Sequence, residues 1–299
     1  MKITITGASG FVGSNLSKYL EEKENTIDKL SLRKPDFSLQ KDADAVIHLA
    51  GKAHDTANTS ADEEYFEINT ELTKKLFDEF VNSEIRDFFY FSSVKATADI
   101  VEGILDENHC SNPVTAYGKS KLKAEEYLLS HKLPSGKRLF IIRPCMIHGP
   151  GNKGNLNLLH KVVQKGIPWP LAAFENRRSF LSIGNLCFLI EKMMTSELPS
   201  GIYNFADDEA VSTNRLVKII AEASGKKEKL WPVSKELVSG IARLGDRIKF
   251  PLNSERLKKL TESYVVSNQK IKTALKIENL PLSAEEGLIK TVKSFKSKS

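Results

Sequence analysis

Lys2-Ile3-Thr4-Ile5-Thr6-Gly7-Ala8-Ser9-Gly10-Phe11-Val12-Gly13 is the stretch from which the rest of the chain is read. Its first five residues are short and β-branched, the pattern of a buried strand. The glycine turn follows at once and opens a helix that runs from Gly13 to about Lys23. Glycine is needed there for a tight turn, for close approach of the backbone to a pyrophosphate, and for close packing of helix on strand. The helix N-terminus then offers free N–H groups to phosphate charge. A glycine turn without a ligand would use the same residues. The strand before it and the helix after it are the context that points to a dinucleotide, with Gly7, Ser9, Gly10, Phe11, Val12 and Gly13 around it.

Outward from this unit, apolar runs and helical patterns alternate. Strands are expected at Ile27–Leu32, Ala45–Ala50, Phe88–Phe91 and Leu139–Arg143, the last stopped by Pro144. A long helix is expected over Glu64–Val81, with Leu72, Leu76, Phe77 and Phe80 on one face. Another is expected over Thr115–Lys132, entered after Pro113. This alternation predicts an α/β fold, a Rossmann-type doubly wound parallel sheet. Gly149-Pro150-Gly151 and Pro168-Trp169-Pro170 then break the pattern. A helix near Ile183–Thr195 and a strand at Ile202–Phe205 return to the sheet, and the chain beyond Asp207 reads as mostly helical. Ser283-Ala284-Glu285-Glu286 has capping-box spacing. The expected division is a dinucleotide-binding domain of residues 1–152 with 179–206. A smaller, mostly helical substrate lobe comprises residues 153–178 and 207–299.

Composition excludes several classes. Of 299 residues, 40% are apolar and 27% charged, ordinary globular values that leave no room for disorder, collagen or coiled coil. No apolar run approaches the roughly 18 residues of a membrane span, so no stable membrane association is expected. The first strand begins at Lys2, and no signal segment is expected ahead of it. Cys110, Cys145 and Cys187 make no CxxC or zinc pattern, which predicts a reduced, cytoplasmic setting and no metal. His48, His54, His109, His131, His148 and His160 have no ligand spacing and read as packing or surface residues. The net charge of +6 and pI near 9.0 gather partly in lysine clusters at 226–229 and 290–298, which read as solvated surface. No zinc-finger, RNP or basic-zipper pattern accompanies them, so nucleic acid is not an expected partner.

Two further features carry chemistry. At the end of the second strand, where an acidic residue commonly takes the adenosine 2′-hydroxyl, stand Arg33 and Lys34. A cation there pairs with a 2′-phosphate, so NADP(H) is favoured, with NAD(H) open. An exposed basic loop is the plain alternative. Downstream, Ser92-Ser93 ends the fourth strand and Tyr117-Gly118-Lys119-Ser120-Lys121 opens the next helix. Tyr117 and Lys121, at i and i+4, share a helix face. A nearby ammonium favours the phenolate and lowers a tyrosine pKa that is otherwise about 10. Ser93, at the carboxyl edge of the sheet, can hold the oxygen that Tyr117 protonates or deprotonates.

With GASGFVG, AVIHLAG, FSSVKA, YGKSK and RPCMIHGPG in hand, the chain resembles the extended short-chain dehydrogenase/reductases, the NAD(P)-dependent epimerase/dehydratase family. The resemblance implies a catalytic triad of Ser93, Tyr117 and Lys121, with Lys121 also on the nicotinamide ribose. It implies that Leu49, Ala50 and Gly51 line the cofactor, that Pro144 lies by the nicotinamide, and that Asn69 supports the site. IHGPGNKGNLNLL and WPLAAFENRRSFLSIGNL are similar to sugar-nucleotide 4-epimerases and 4-ketoreductases of bacterial surface-polysaccharide pathways. That likeness implies Asn155 at a uridine diphosphate site, Arg178 on the diphosphate and Arg256 as a second candidate clamp. The chain departs from the family in two places. Lys34 to Asp44 is too short for the usual extra strand and helix, and Val94-Lys95 stands where the family's dehydratases have Asp-Glu. The second departure excludes dehydration.

The expected function is hydride transfer at C4 of a UDP-sugar, as 4-ketoreductase of a UDP-4-keto-6-deoxy-N-acetylhexosamine or as UDP-sugar 4-epimerase. A generic carbonyl reductase and a catalytically silent NADP-binding protein are the other readings. A homodimer is left open.

Overall fold

The computed structural model describes residues 1–34, 36–52, 61–152, 154–248 and 253–296. His54 and Lys298 lie outside them. The first half alternates as its sequence predicts. β1 (Lys2–Thr6) leads to α1 (Phe11–Glu21), β2 (Thr26–Leu30) and β3 (Ala45–His48). Then come α2 (Asp62–Phe66), a π-turn (Glu67–Glu71), α3 (Leu72–Val81) and β4 (Asp87–Phe91). β5 (Ile104–Leu105), α4 (Ala116–Ser130) and β6 (Arg138–Pro144) follow. β7 (Met146–His148), α5 (Asn155–Gln164), β8 (Phe180–Ser182), α6 (Ile183–Thr195) and β9 (Gly201–Phe205) complete the sheet and its crossovers. The remainder is α7 (Thr213–Ala223), α8 (Lys235–Ile248), α9 (Ser254–Thr261), β10 (Val265–Val266), α10 (Gln269–Leu275) and α11 (Ala284–Lys296).

Six strands form one parallel sheet in the order β2-β1-β3-β4-β6-β9. Strand alternation sends successive side chains to opposite faces. On β4, Phe89 and Phe91 join the core beneath α1 and α6, with Leu16, Leu20, Leu186 and Ile190. Phe88 and Tyr90 join the core beneath α3 and α4, with Leu76, Phe77, Phe80, Ala124 and Leu128. A parallel sheet covered on both faces explains why these strands are continuous apolar runs.

Some expectations shift in detail. β2 ends at Leu30, and Leu32 turns down into the α3–α4 core instead of extending the strand. Residues 31–44 hold no helix or strand among the described residues, as their shortness predicts, and they carry the chain across β1 to β3. The long helix begins at Asp62 and is interrupted by the π-turn, which buries Asn69 and Thr70. Pro144 belongs to β6 as its last paired residue, opposite Phe205, where the missing N–H breaks no ladder. Ser283 and Glu286 do form a reciprocal cap, the Ser283 N–H donating to Glu286 Oε2 at 2.9 Å and the Glu286 N–H to Ser283 Oγ at 3.3 Å.

α5, α7 and α11 share a separate core of Leu156, Leu216, Ile219, Ile220, Leu288 and Val292. α8 and α9 meet in a smaller one through Val238, Ala242 and Leu257. β10 pairs with β5, and Tyr264 Oη donates to the Ala98 carbonyl at 2.7 Å. These contacts bring the late helices over the carboxyl edge of the sheet.

Candidate active site

The sheet register aligns the carboxyl ends on which the site is built. Thr6 is opposite both Leu30 and His48, His48 is opposite Tyr90, and Phe91 is opposite Ile142. The loops after β1, β2, β3, β4 and β6 therefore open on one side. The strand order reverses beside β1, which makes the crevice where open α/β sheets bind ligands.

The glycine turn is shaped by contacts no side chain would permit. Gly7 has φ +69°, and a Cβ there would lie 2.7 Å from the Ala50 nitrogen. A Cβ on Gly13 would lie 2.3 Å from the Gly7 carbonyl oxygen, so α1 sits directly on the turn. Gly10 caps α1 without a side chain, and Ser9 and Gly10 are exposed. The first-turn N–H groups have no intrahelical acceptors and face the crevice mouth, a donor set that suits a diphosphate. Phe11 and Val12 are half-buried in the first turn, and Arg33 is exposed in the turn after β2.

Ser93 caps a 3₁₀ turn after β4, its Oγ accepting the Lys95 N–H at 3.2 Å. It also hydrogen-bonds the Tyr117 hydroxyl. Burial raises the pKa of Tyr117 above its ordinary value, the Ser93 hydrogen bond opposes this, and Tyr65 adds to the rise. Tyr65 stacks edge-on against Tyr117 at 6.2 Å between centroids. The phenol is thus held protonated. Lys121 is buried, with Nζ donating to the Phe91 carbonyl at 2.8 Å and lying 4.9 Å over the Tyr90 ring. Burial brings its pKa down to about 8, against an upward pull from Glu125. The expected lowering of the Tyr117 pKa by Lys121 is not found. Burial of the phenol dominates, and the ammonium is turned to a backbone carbonyl.

Asn69 works as a brace. Its Oδ1 accepts the Lys52 N–H at 2.7 Å, while Nδ2 donates to the Lys52 carbonyl at 3.1 Å and to Ser120 Oγ at 3.0 Å. Both amide donors are thereby engaged inside the protein, tying the loop after β3 to the helix of Tyr117. The loop passes so close that a Cβ on Gly51 would lie 2.9 Å from Asn69 Oδ1 and 3.2 Å from Lys121 Nζ. Leu49 and Ala50 are half-buried in the same loop, and Pro144 is buried at the end of β6.

His48, read from the sequence as a packing or surface residue, is a packing residue. It is fully buried in a directed hydrogen-bond chain. Ala50 N–H donates to Thr6 Oγ1 at 3.2 Å, and Thr6 Oγ1 is 2.7 Å from His48 Nδ1. His48 Nε2 is 2.9 Å from Thr73 Oγ1, which donates to the Asn69 carbonyl at 2.8 Å. Because the Thr73 proton goes to that carbonyl, Thr73 must accept from His48. Burial keeps the imidazole neutral, so with its proton on Nε2 the Nδ1 lone pair accepts from Thr6 Oγ1. Burial, then the Lys121 charge, lowers its pKa to about 3. The only sequence signal was a polar residue inside the apolar run AVIHLA.

The remaining candidates lie in the late helices and the segment before them. Asn155 is exposed as the first residue of α5. Arg178 is half-buried, its Nε donating to the Glu262 carbonyl at 3.3 Å and its Nη2 to the Lys259 carbonyl. It thus sits at the C-terminal end of α9, and burial lowers its pKa. Arg256 is exposed on α9 one turn earlier. Lys95, two residues after Ser93, donates to the Asp99 carbonyl at 2.8 Å and lies 4.3 Å over the Tyr264 ring. Its pKa is lowered, first by burial and also by repulsion from Arg178 and Lys259, against the pull of Asp99 and Glu262. Among the described residues, no group of three or more His, Cys, Asp or Glu is arranged to hold a metal ion.

The chain is a Rossmann-type α/β fold with a serine–tyrosine pair at the open edge of its parallel sheet. Comparison with known proteins narrows this. Residues 3–206 match the family described as "NAD dependent epimerase/dehydratase family". The chain is 33% identical to a UDP-glucose 4-epimerase of Vibrio cholerae over 261 residues, 77% of this chain and 78% of that protein. Its fold is similar to MoeE5 solved with UDP-glucuronic acid and NAD, at 18% identity and TM-score 0.76 with both chains covered in full. It is also similar to RMD of Pseudomonas aeruginosa solved with NADPH, at 19% identity and TM-score 0.75, with 100% of this chain and 99% of that chain covered. The chain belongs to the NAD-dependent epimerase/dehydratase family and is an enzyme of that class.

Proposed function

We propose that the protein transfers a hydride at C4 of a UDP-sugar, as the NADPH-dependent 4-ketoreductase of a UDP-4-keto-6-deoxy-N-acetylhexosamine. The observation that carries this reading is the Ser93–Tyr117 hydrogen bond, with the phenol kept protonated by burial. A reductase needs an acid for O4 as C4 gains a hydride, and a protonated phenol is that acid. Ser93 holds the same oxygen and aligns it. The nicotinamide supplies the hydride when bound. Gly7 and Gly13 give its diphosphate room, Asn69 and Gly51 fix the neighbouring loop, and Lys121 is available to the ribose. Leu49, Ala50 and Pro144 would complete that pocket, and Arg33 supports a preference for the 2′-phosphate. Residues 153–178 and 207–299 would form the substrate lobe, with Asn155, Arg178 and Arg256 toward the UDP moiety. For Arg178 to do so it must leave the α9 carbonyls.

The second reading is a UDP-sugar 4-epimerase, favoured by the 33% identity to the Vibrio cholerae enzyme. One experiment separates the two. Purified protein is given the UDP-4-keto sugar with NADPH, and in parallel UDP-glucose and UDP-N-acetylglucosamine without added reductant. Stoichiometric NADPH oxidation with the keto sugar is the expected outcome. Interconversion of C4 epimers without net oxidation establishes the epimerase instead. If UDP neither inhibits nor stabilises the protein, both readings fail and a generic carbonyl reductase replaces them.

A further inference from the structure

The apolar residues of α8 divide between two faces. Val238 and Ala242 are buried with Leu171 and Leu257 and hold the helix to the lobe. Leu237, Ile241 and Leu244 follow at i, i+4 and i+7, so they line a second stripe one helical step around. That stripe is open, with Leu237 57%, Ile241 43% and Leu244 55% exposed. Trp231, just ahead of the helix, is 58% exposed. Single exposed leucines are ordinary, whereas a row of exposed apolar residues along one helix, with an exposed tryptophan just before it in the chain, marks an interaction surface.

Charge identifies the partner. Residues 231–260 hold seven cations and three acids, and so carry four of the chain's six excess positive charges. Arg243 and Arg247 are exposed on α8, one turn apart, on the side of the stripe away from the buried face. Lys258 and Lys259 are exposed on α9, which packs beside it. Two of the acids are engaged locally, Asp246 by Ser254 Oγ at 2.6 Å and Glu255 by Lys259 at 2.6 Å. A second copy docking through this face would set like cations against each other about a twofold axis. An anionic lipid surface meets both features, because apolar side chains and tryptophan enter the headgroup boundary while arginines meet the phosphates.

We propose that α8 docks the protein reversibly on an anionic phospholipid surface, through Leu237, Ile241, Leu244 and Trp231 with Arg243 and Arg247 alongside. Among the described residues no helix is long and apolar enough to cross a membrane, so the contact is peripheral. α9, whose C-terminal carbonyls bind Arg178, would then lie near the membrane surface. The proposal is independent of which sugar reaction the enzyme performs.

Sedimentation with vesicles tests it, using phosphatidylcholine alone and an equal mixture with phosphatidylglycerol. The protein should pellet with the mixed vesicles only, and added salt should release it. Arg243→Gln with Arg247→Gln should weaken binding about 30-fold, at about 5-fold per cation near the surface. Leu237→Ser with Ile241→Ser should weaken it as well, and both variants should keep turnover on soluble substrate. No binding to mixed vesicles, or equal binding to both kinds, overturns the proposal. So does loss of binding in the arginine variant alone. Sedimentation velocity showing that Leu237→Ser with Ile241→Ser only dissociates a dimer overturns it in favour of a second copy.

Discussion

Tyr117 and His48 show burial holding two titratable groups neutral, by raising the pKa of one and lowering that of the other. Burial keeps the Tyr117 phenol protonated. Tyr117→Phe retains the ring and removes that proton. Turnover should fall by about 10²–10⁴-fold while cofactor affinity, measured by fluorescence titration, changes little. For His48, burial makes the neutral form obligatory. Its pKa is about 3 in the fold against an ordinary 6.5, so between those values the unfolded chain binds a proton that the folded chain refuses. Stability contributed by the neutral imidazole is complete above pH 6.5 and is lost as pH falls toward 3. His48→Asn cannot titrate. Urea melts should show a weaker protein at pH 7 and a smaller loss of stability between pH 6.5 and 4 than in the wild type. An unchanged slope would show that the imidazole is not held neutral. Arg33 belongs to this scale too. Arg33→Asp should weaken NADP(H) far more than NAD(H), by a charge-assisted contact of roughly 1.5–3 kcal/mol. Tighter wild-type binding of NAD(H) than of NADP(H) would refute that preference.

At the scale of elements, close approach of backbones governs the site. α1 lies against the glycine turn because Gly13 has no side chain, and a Cβ there would meet the Gly7 carbonyl at 2.3 Å and Ala8 Cα at 2.6 Å. Those neighbours are backbone and cannot swing aside. Gly13→Ala should therefore cost about 1–3 kcal/mol of stability, as overpacking does, and abolish cofactor binding in the same preparation. Calorimetry with and without dinucleotide measures both. The π-turn shows the same dependence of site on element. By widening the helix between α2 and α3 it directs Asn69 inward to the Lys52 backbone, and π-turns are often found where a helix serves a site.

At the scale of the molecule, Arg178 ties the segment before β8 to the end of α9. Its guanidinium now satisfies carbonyls at the end of α9, so Arg178→Ala should have two effects. Loss of that cap should lower the melting temperature slightly. Loss of a diphosphate partner should raise KM more than it lowers kcat, by about 10–150-fold for a contact of roughly 1.5–3 kcal/mol. UDP at millimolar concentration should raise the wild-type melting temperature and raise that of the variant less. Equal stabilisation of both proteins would remove Arg178 from the UDP site.

Much of this was present in the chain itself. KITITGASGFVG specified strand, turn and helix because only glycine permits those backbone distances. The short apolar strand runs and the Tyr117–Lys121 helical spacing are local properties, legible residue by residue, and the short link before Asp44 foretold the missing strand. Tertiary structure decided what depends on distant neighbours. His48 became a neutral, hydrogen-bonded residue because Thr6 and Thr73 converge on it from β1 and α3. Lys121 turned to the Phe91 carbonyl, so burial rather than its charge sets the Tyr117 proton. The helix over 62–81 took a π-turn that its apolar spacing does not announce. Residues far apart in sequence set the dielectric, the hydrogen-bond partners and the close contacts, and none of these can be read from local periodicity.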